Sequence, residues 1–372
     1  MFRKLERGIY SIVDWQVVFL ALLICGISLV VLASAGNDPE TGASMPMKRQ
    51  AIAMGVGLFA LFLSSLLNPS FWQRWAYVFY GAVLLLLAAV EIKGVVAGGA
   101  RRWLDLGPVR IQPSEFAKIG VILVLARLFS SPKFPRDGYT AFTMVRPCLL
   151  IGVPMVLIVL QPDLGTGISV GLIGGSMLLF AGVQRGTLIR LGALALVSLV
   201  PIWEFGLKDY QRLRILNFLH PETDPLGSGY HALQSQIAVG SGSFTGKGFL
   251  KGTQTQLRFL PEQTTDFIFS VLAEEWGFFG SALLILLYAL LVLKILKVAT
   301  RCSEPFSSYI CFGVAALLFW HVTVNIGMVI GIVPVVGITL PLLSYGGSSV
   351  VTVMTCLGLV CSGALKRFVF AR

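Results

Sequence analysis

Charge is what this 372-residue chain has least of: Asp, Glu, Lys and Arg together make up only 13% of it, against about 25% in an average soluble domain. A solvated surface cannot be built from so little charge. With 56% hydrophobic residues and a mean hydropathy of +0.82, the chain reads as a polytopic membrane protein. Cysteine is scarce as well. The six cysteines (Cys25, Cys148, Cys302, Cys311, Cys356 and Cys361) all lie in or beside apolar runs with no Cys-x-x-Cys pair, which argues against a zinc site or a disulfide framework. The three histidines, His220, His231 and His321, are too scattered to suggest a metal site by spacing. Acidic residues are outnumbered 18 to 29, for a formal net charge of +11. The basic residues sit in short connections between apolar runs, not in a stripe on a soluble face, so the excess does not point to nucleic acid.

The abundant feature is the apolar run of bilayer-spanning length. Such runs lie at about 17–32, 50–67, 76–92, 114–130, 147–161, 164–182, 188–206, 267–293, 306–333 and 342–364, predicting an all-α integral membrane protein of about ten transmembrane helices. They leave no room for a separate soluble domain, so residues 1–372 are expected to form a single polytopic membrane domain. The first run ends in Ala33-Ser-Ala-Gly36, which resembles a signal-peptidase site, but its length favours an uncleaved first helix. An even number of spans puts both termini on one side. The basic clusters Arg3/Lys4/Arg7, Arg127/Lys133/Arg136/Arg146, Arg185/Arg190, Lys294/Lys297/Arg301 and Lys366/Arg367/Arg372 fall on that same side, which the positive-inside rule makes cytoplasmic.

On this topology the long polar segment at 207–265, between the seventh and eighth spans, faces outward. Its cations, and those of the third-to-fourth connection, break the positive-inside rule: Arg101, Arg102 and Arg110 in one, and Lys208, Arg212, Arg214, Lys247, Lys251 and Arg258 in the other. Cations kept outside imply an anionic partner there. Phosphate or pyrophosphate is the natural candidate for a membrane enzyme, with lipid headgroups as the structural alternative. The segment ends in Leu260-Pro-Glu-Gln-Thr-Thr-Asp-Phe267. Asp266 therefore stands where an apolar helical run begins, with Thr264 and Thr265 as capping candidates. The helix dipole should favour its ionised form, leaving it able to accept a proton; the plainer alternative is a helix cap.

Within the spans, Gln112-Pro-Ser-Glu115-Phe-Ala-Lys118 places Glu115 and Lys118 on one helical face, three residues apart and able to pair. Gln161-Pro-Asp163 marks a tight outer turn, with Asp163 at similar depth. Gly167, Gly171 and Gly175 recur every four residues and predict close approach of a neighbouring backbone. Gly240-Ser-Gly-Ser-Phe-Thr-Gly-Lys-Gly248 fails as a phosphate-binding P-loop, since Gly248 stands where Ser or Thr is required. Its glycines predict a compact, tightly turned loop.

Five stretches carry a family likeness: Asp224-Pro-Leu-Gly-Ser-Gly-Tyr-His231, Gln234 through Gly242, Gly246 through Gln254, Phe259 through Phe269, and Asn325 through Ser349. They resemble the SEDS (shape, elongation, division, sporulation) proteins, the FtsW/RodA/SpoVE family, across nearly the whole chain. Gly327-Met-Val-Ile-Gly-Ile-Val-Pro-Val-Val-Gly337 is more similar to the elongation branch than to the division branch. The resemblance implies a ten-helix peptidoglycan glycosyltransferase of the bacterial cytoplasmic (inner) membrane that polymerises lipid II on the outer face. The family's essential acid falls on Asp266, and other positions that matter in it fall on Arg110, Gln112, Glu115, Lys118 and Asp163. Arg214, Lys247 and Arg258 join them as candidate pyrophosphate or supporting cations. One departure is Thr264, where relatives often carry His, so no helper role for that His carries over. The resemblance also implies a class B penicillin-binding protein, a transpeptidase with one transmembrane helix, and elongation-complex membrane proteins as partners. No cofactor is fixed by the sequence; a divalent cation, Mg or Mn, assisting the leaving pyrophosphate is the open expectation. The alternative function is a flippase for lipid-linked precursor, with Glu115, Lys118 and Asp163 lining its path.

Overall fold

In hydrocarbon every backbone N–H and C=O must bond within its own segment, so the apolar runs fold as helices. The protein, seen here as a computed structural model, is described at residues 14–37, 44–97, 100–105, 107, 110–132, 138–206, 209–219, 228–257, 259–260 and 262–369. In chain order the bundle helices are α1 (Trp15–Ala35), α2 (Met45–Leu66), α3 (Pro69–Lys93), α4 (Pro113–Phe129), α5 (Val145–Leu160), α6 (Leu164–Ala181) and α7 (Arg185–Pro201). The polar segment contributes α8 (Asp209–Leu219), α9 (Ser228–Ser241) and α10 (Thr253–Gln256), before the chain returns through α11 (Ile268–Ala299), α12 (Pro305–Val329) and α13 (Gly347–Val369). Seven are long and apolar enough to cross a membrane, namely α1, α2, α3, α6, α11, α12 and the Gly347–Ala364 part of α13. Val145–Leu160 is a shorter apolar helix, and α4 and α7 have 17 residues each.

At the centre stands α4, packed by α3, α5, α6, α12 and α13 and buried along nearly its whole length. This placement follows from its residues. Glu115 and Lys118 are intolerable against lipid, and here they are 5% and 1% exposed, enclosed by protein and paired at 2.7 Å as their spacing predicts.

The expected span at 267–293 is corrected in two ways. Its helix runs on to Ala299, giving 32 residues, or ~48 Å at 1.5 Å per residue, far more than a ~30 Å hydrocarbon core requires. The excess is resolved by a break at Gly277, whose φ of 65° and ψ of −159° leave the helix. Backbone groups freed at the break are taken up by the glycine-rich loop: Phe278 N–H donates to Ser243 O (2.9 Å) and Phe279 N–H to Phe244 O (3.2 Å), while Lys247 and Gly248 N–H donate to Glu274 and Glu275 O (3.0 Å each). A Cβ on Gly242 would lie 2.0 Å from Ala273 O, and one on Gly246 2.1 Å from Glu275 O. The compact loop expected from composition is therefore a backbone-to-backbone clamp on α11.

Two further expectations change in detail. The glycine stripe of α6 is Gly167, Gly171 and Gly174, set against Val159, Met155 and Ile151 of α5, whereas Gly175 faces nothing within 4 Å. These contacts are mainly with side chains, not the neighbouring backbone. The last span begins at Gly347, not at 342, because the chain before it turns through Leu342 at φ 64° and holds Pro341 and Gly346. Between α3 and α4 lies an antiparallel sheet of β1 (Val95–Ala97), β2 (Ala100–Asp105) and β3 (Arg110–Ile111), with Leu104 opposite Ile111 and Asp105 opposite Arg110.

Candidate active site

At the end of the bundle where α4 and α6 begin, a cleft of about 490 Å³ opens between β2, α4, α6, α8, the turn before α11, the irregular chain from Val336 to Gly346 and the start of α13. Its wall carries Arg102, Gln112, Glu115, Asp163, Arg214, Glu262, Asp266 and His321. The volume is in the range of a small-ligand site, and the lining is far more polar than a hydrophobic cofactor pocket.

Asp266 is the acid the sequence singled out, but its local structure differs from the expected cap. The N-cap of α11 is Phe267, with no side-chain capping bond. Thr265 does not cap either, because its hydroxyl donates to Glu262 Oε2 at 3.0 Å. Asp266 thus stands one residue outside the helix, half-buried, with its carboxylate against Gly337: a Cβ there would come within 3.4 Å of Oδ2. The helix dipole does not set its proton affinity. Burial, then the neighbouring Glu262 carboxylate and more weakly Asp163, raise its pKa from the ordinary 3.8 to about 6, while Arg102 and Arg214 act to lower it. Desolvation disfavours the charged form, so at neutral pH Asp266 is ionised yet far more basic than a surface aspartate.

Asp163 is held from three sides. It caps α6 by accepting Thr166 N–H at 3.3 Å, accepts Gln112 Nε2 at 3.2 Å, and faces Arg102 at 3.8 Å. Arg102 also donates to Pro162 O, so its guanidinium bridges the α5–α6 turn. Deeper in, Lys118 Nζ lies 2.7 Å from Glu115 Oε1 and 3.4 Å from His321 Nε2. His321 Nδ1 faces Thr339 O at 3.2 Å. A carbonyl can only accept, so Nδ1 carries the proton and Nε2 accepts from Lys118. The second Glu115 oxygen is buried with no protein partner.

The cleft gathers Gln112, Glu115, Asp163, Arg214 and Asp266, with Lys118 bonded behind Glu115. It does not gather the rest. Arg110 is 61% exposed on the hairpin, 3.5 Å from Asp105. Lys247 is bonded to Glu274 Oε1 and Thr253 Oγ1, at 2.7 and 2.8 Å. Arg258 lies outside the described residues. Sequence reasoning placed Arg102 among the outward cations without seeing that it enters the site; it quoted Glu262 only as part of a motif and set His321 aside as one of three scattered histidines. Among the described residues, no group of three or more His, Cys, Asp or Glu side chains could hold a metal ion.

The cell cycle protein family FTSW_RODA_SPOVE matches residues 14–367. Over 347 residues the chain is 44% identical to the peptidoglycan glycosyltransferase MrdB of Escherichia coli K12, covering 93% of this chain and 91% of that protein. It is 35% identical to the stage V sporulation protein E of Bacillus subtilis over 358 residues, 93% and 95% of the two chains. Among solved structures, a chain from work on the structural coordination of polymerization and crosslinking by a peptidoglycan synthase complex superposes with a TM-score of 0.82 at 37% identity, covering 96% of this chain and 98% of that one. The rod shape determining protein RodA of Thermus thermophilus gives a TM-score of 0.71 at 33% identity, with the same coverage.

Proposed function

This chain belongs to the FtsW/RodA/SpoVE family and is a multi-pass membrane peptidoglycan glycosyltransferase, and from that premise we propose that Asp266 is the general base of glycan polymerisation from lipid II. The acceptor's GlcNAc 4-hydroxyl gives its proton to the Asp266 carboxylate as its oxygen bonds to the anomeric carbon of the donor MurNAc. The bond from that carbon to undecaprenyl pyrophosphate breaks, and the pyrophosphate leaves with the electron pair. A single displacement inverts an α-linked donor to a β-1,4 product. A positioned base typically contributes about 10² to 10⁴-fold. The observation that carries the reading is the Asp266 carboxylate: in the cleft wall, serving no helix cap, and raised to a pKa of about 6.

Negative charge grows on the departing pyrophosphate, and the cations at hand in the cleft are Arg102 and Arg214. Arg110, on the exposed hairpin beside the cleft, is placed to meet the substrate's phosphates before they enter. A divalent cation assisting the leaving group would be held largely by the substrate's own pyrophosphate, since among the described residues no three His, Cys, Asp or Glu side chains converge. On the positive-inside reading the cleft faces outward from the bacterial inner membrane with both termini cytoplasmic, the side where lipid II is consumed. The resemblance of Gly327 through Gly337 to the elongation branch supports a role in rod-shape growth beside a class B penicillin-binding protein, which would crosslink the emerging strand.

The deciding experiment is Asp266→Asn in the purified full-length protein with lipid II. The substitution keeps the shape and removes the proton acceptor, so polymer should vanish while membrane insertion and partner binding persist. Asn and Asp are equivalent as helix caps. Polymer made at a near wild-type rate would therefore return Asp266 to a structural role.

A further inference from the structure

The turn that presents Asp266 is closed locally by the N–H groups of Thr265 and Phe267, which donate to Glu262 O at 3.1 and 3.2 Å. Its carbonyls at 264, 265 and 266 are each captured by a donor from far along the chain, on α12 or in the segment before α13. Thr264 O accepts Tyr345 N–H at 2.9 Å, Thr265 O accepts Ser344 Oγ at 2.6 Å, and Asp266 O accepts Asn325 Nδ2 at 2.9 Å. The same Asn325 amide also donates to Ile338 O at 2.7 Å. Ile338 follows Gly337, the residue against which the Asp266 carboxylate rests.

We infer that Asn325 is a positioning residue for glycosyl transfer, its one side-chain amide fixing the backbone of Asp266 to the opposite wall of the cleft. The inference rests on the assignment of Asp266 as the base. Asn325 is fully buried on α12, and its NH₂ group spans two carbonyls that no apolar side chain could hold together. Its own Oδ1 is buried with no protein partner, so the residue gives up part of its hydrogen-bonding capacity to make this crosslink. Rotating the amide would bring Oδ1 against two carbonyl oxygens, which fixes the assignment of oxygen and nitrogen. The second anchor is itself braced: Gln50, fully buried on α2, donates to Ser344 O at 2.9 Å and accepts Gly346 N–H at 3.1 Å. The base is thus referenced to α2 and α12, two helices of the bundle, and not to the glycine-rich loop that leads into it. A base must sit within hydrogen-bonding reach of the hydroxyl it deprotonates, and misplacement by 1 Å can cost on the order of 10²-fold.

The test compares Asn325→Leu and Asn325→Ala with wild type, using the full-length protein in lipid nanodiscs. Lipid II polymerisation is measured across pH 5 to 8, together with thermal stability and amide exchange over residues 264–267. The expected result is a fall in kcat of about 10 to 100-fold, KM for lipid II within about threefold of wild type, faster exchange in the 264–267 peptide, and an acid limb displaced below that of wild type. That displacement follows because a carboxylate released toward water loses the desolvation that raised it, a change a purely structural role would not produce. A folded variant with kcat within about twofold of wild type and an unmoved acid limb overturns the inference. So does failure of both variants to fold, which would assign Asn325 to stability. Asp266→Asn run alongside separates the two claims: wild-type kcat in Asn325→Leu beside an inactive Asp266→Asn removes only the positioning role, whereas an active Asp266→Asn removes the base itself.

Discussion

If Asp266 takes the acceptor's proton, the rate of polymerisation must follow its ionised fraction, and the structure sets where that fraction changes. An aspartate at its ordinary value of 3.8 would be almost fully ionised at both pH 5 and pH 7. At about 6 it is roughly 91% ionised at pH 7 and roughly 9% at pH 5, so kcat/KM should fall about tenfold between them. The causes give a second, directional test. Glu262 is the largest charged contributor raising Asp266, and Arg102 the largest lowering it. Glu262→Gln should therefore move the acid limb to lower pH, and Arg102→Gln should move it to higher pH. Opposite displacements from two neutral substitutions are hard to imitate by general damage to the fold. Initial rates of lipid II incorporation in buffers of constant ionic strength would provide the profile. A flat rate from pH 5 to 7, or two variants displacing the limb in the same direction, would refute the electrostatic account of the base.

Three other outcomes follow from the same geometry. Asp266→Asn should be inactive yet more stable than wild type: a carboxylate raised from 3.8 to about 6 opposes folding by at most about 3 kcal/mol once both states are ionised, less where the open cleft admits water. That advantage should be full above pH 6 and disappear as pH falls toward 3.8, when wild type is protonated in both states; a melting-temperature series against pH reads it. Glu274 is fully buried and accepts from Lys247, Thr253, the Gln254 N–H and both donors of Thr255. Lys247→Ala, which strands that buried carboxylate without its cation, should therefore cost about 3 kcal/mol or more, visible in thermal unfolding, while leaving KM for lipid II unchanged. Arg110→Ala breaks only an exposed pair with Asp105, worth about 1 kcal/mol or less. If Arg110 serves the substrate's phosphates, the variant should lose at least about tenfold in kcat/KM with an unchanged melting temperature, and equal losses in both would make it structural.

The helical spans were legible because hydropathy over some twenty residues has one physical solution in a bilayer. What hydropathy could not register was Gly277, a single residue inside an apolar run, where the helix leaves its path because a distant loop supplies the hydrogen bonds. The proposed base was singled out by an equally local clue, a carboxylate at the head of an apolar segment. The local rule then failed, since tertiary donors at 325, 344 and 345 seized the turn and passed the N-cap to Phe267. The cations were harder to read. Arg102 and Arg110 look alike in sequence, and only the path of the hairpin decides that Arg102 meets Asp163 while Arg110 faces solvent beside Asp105. Lys247 looked free for a substrate because its carboxylate lies 27 residues away, beyond the reach of any spacing rule.

The cleft also supports Asp266, and not another of its carboxylates, as the proposed base. Glu115, Asp163, Glu262 and Asp266 all line it, so crowding of like charge disfavours ionising every one. Two have a cation in place: Glu115 has Lys118, and Asp163 has Arg102 with the added donors Gln112 and Thr166. Glu262 is exposed to water and bonded by Thr265. Of these four, Asp266 is half-buried with no cation in ion-pair contact, and its pKa is driven up. The neighbouring Glu262 and Asp163 carboxylates are part of what raises Asp266. Environments that push equivalent groups apart assign them different roles: the paired acids hold the walls together, and the unpaired one is left able to take a proton and release it near neutral pH.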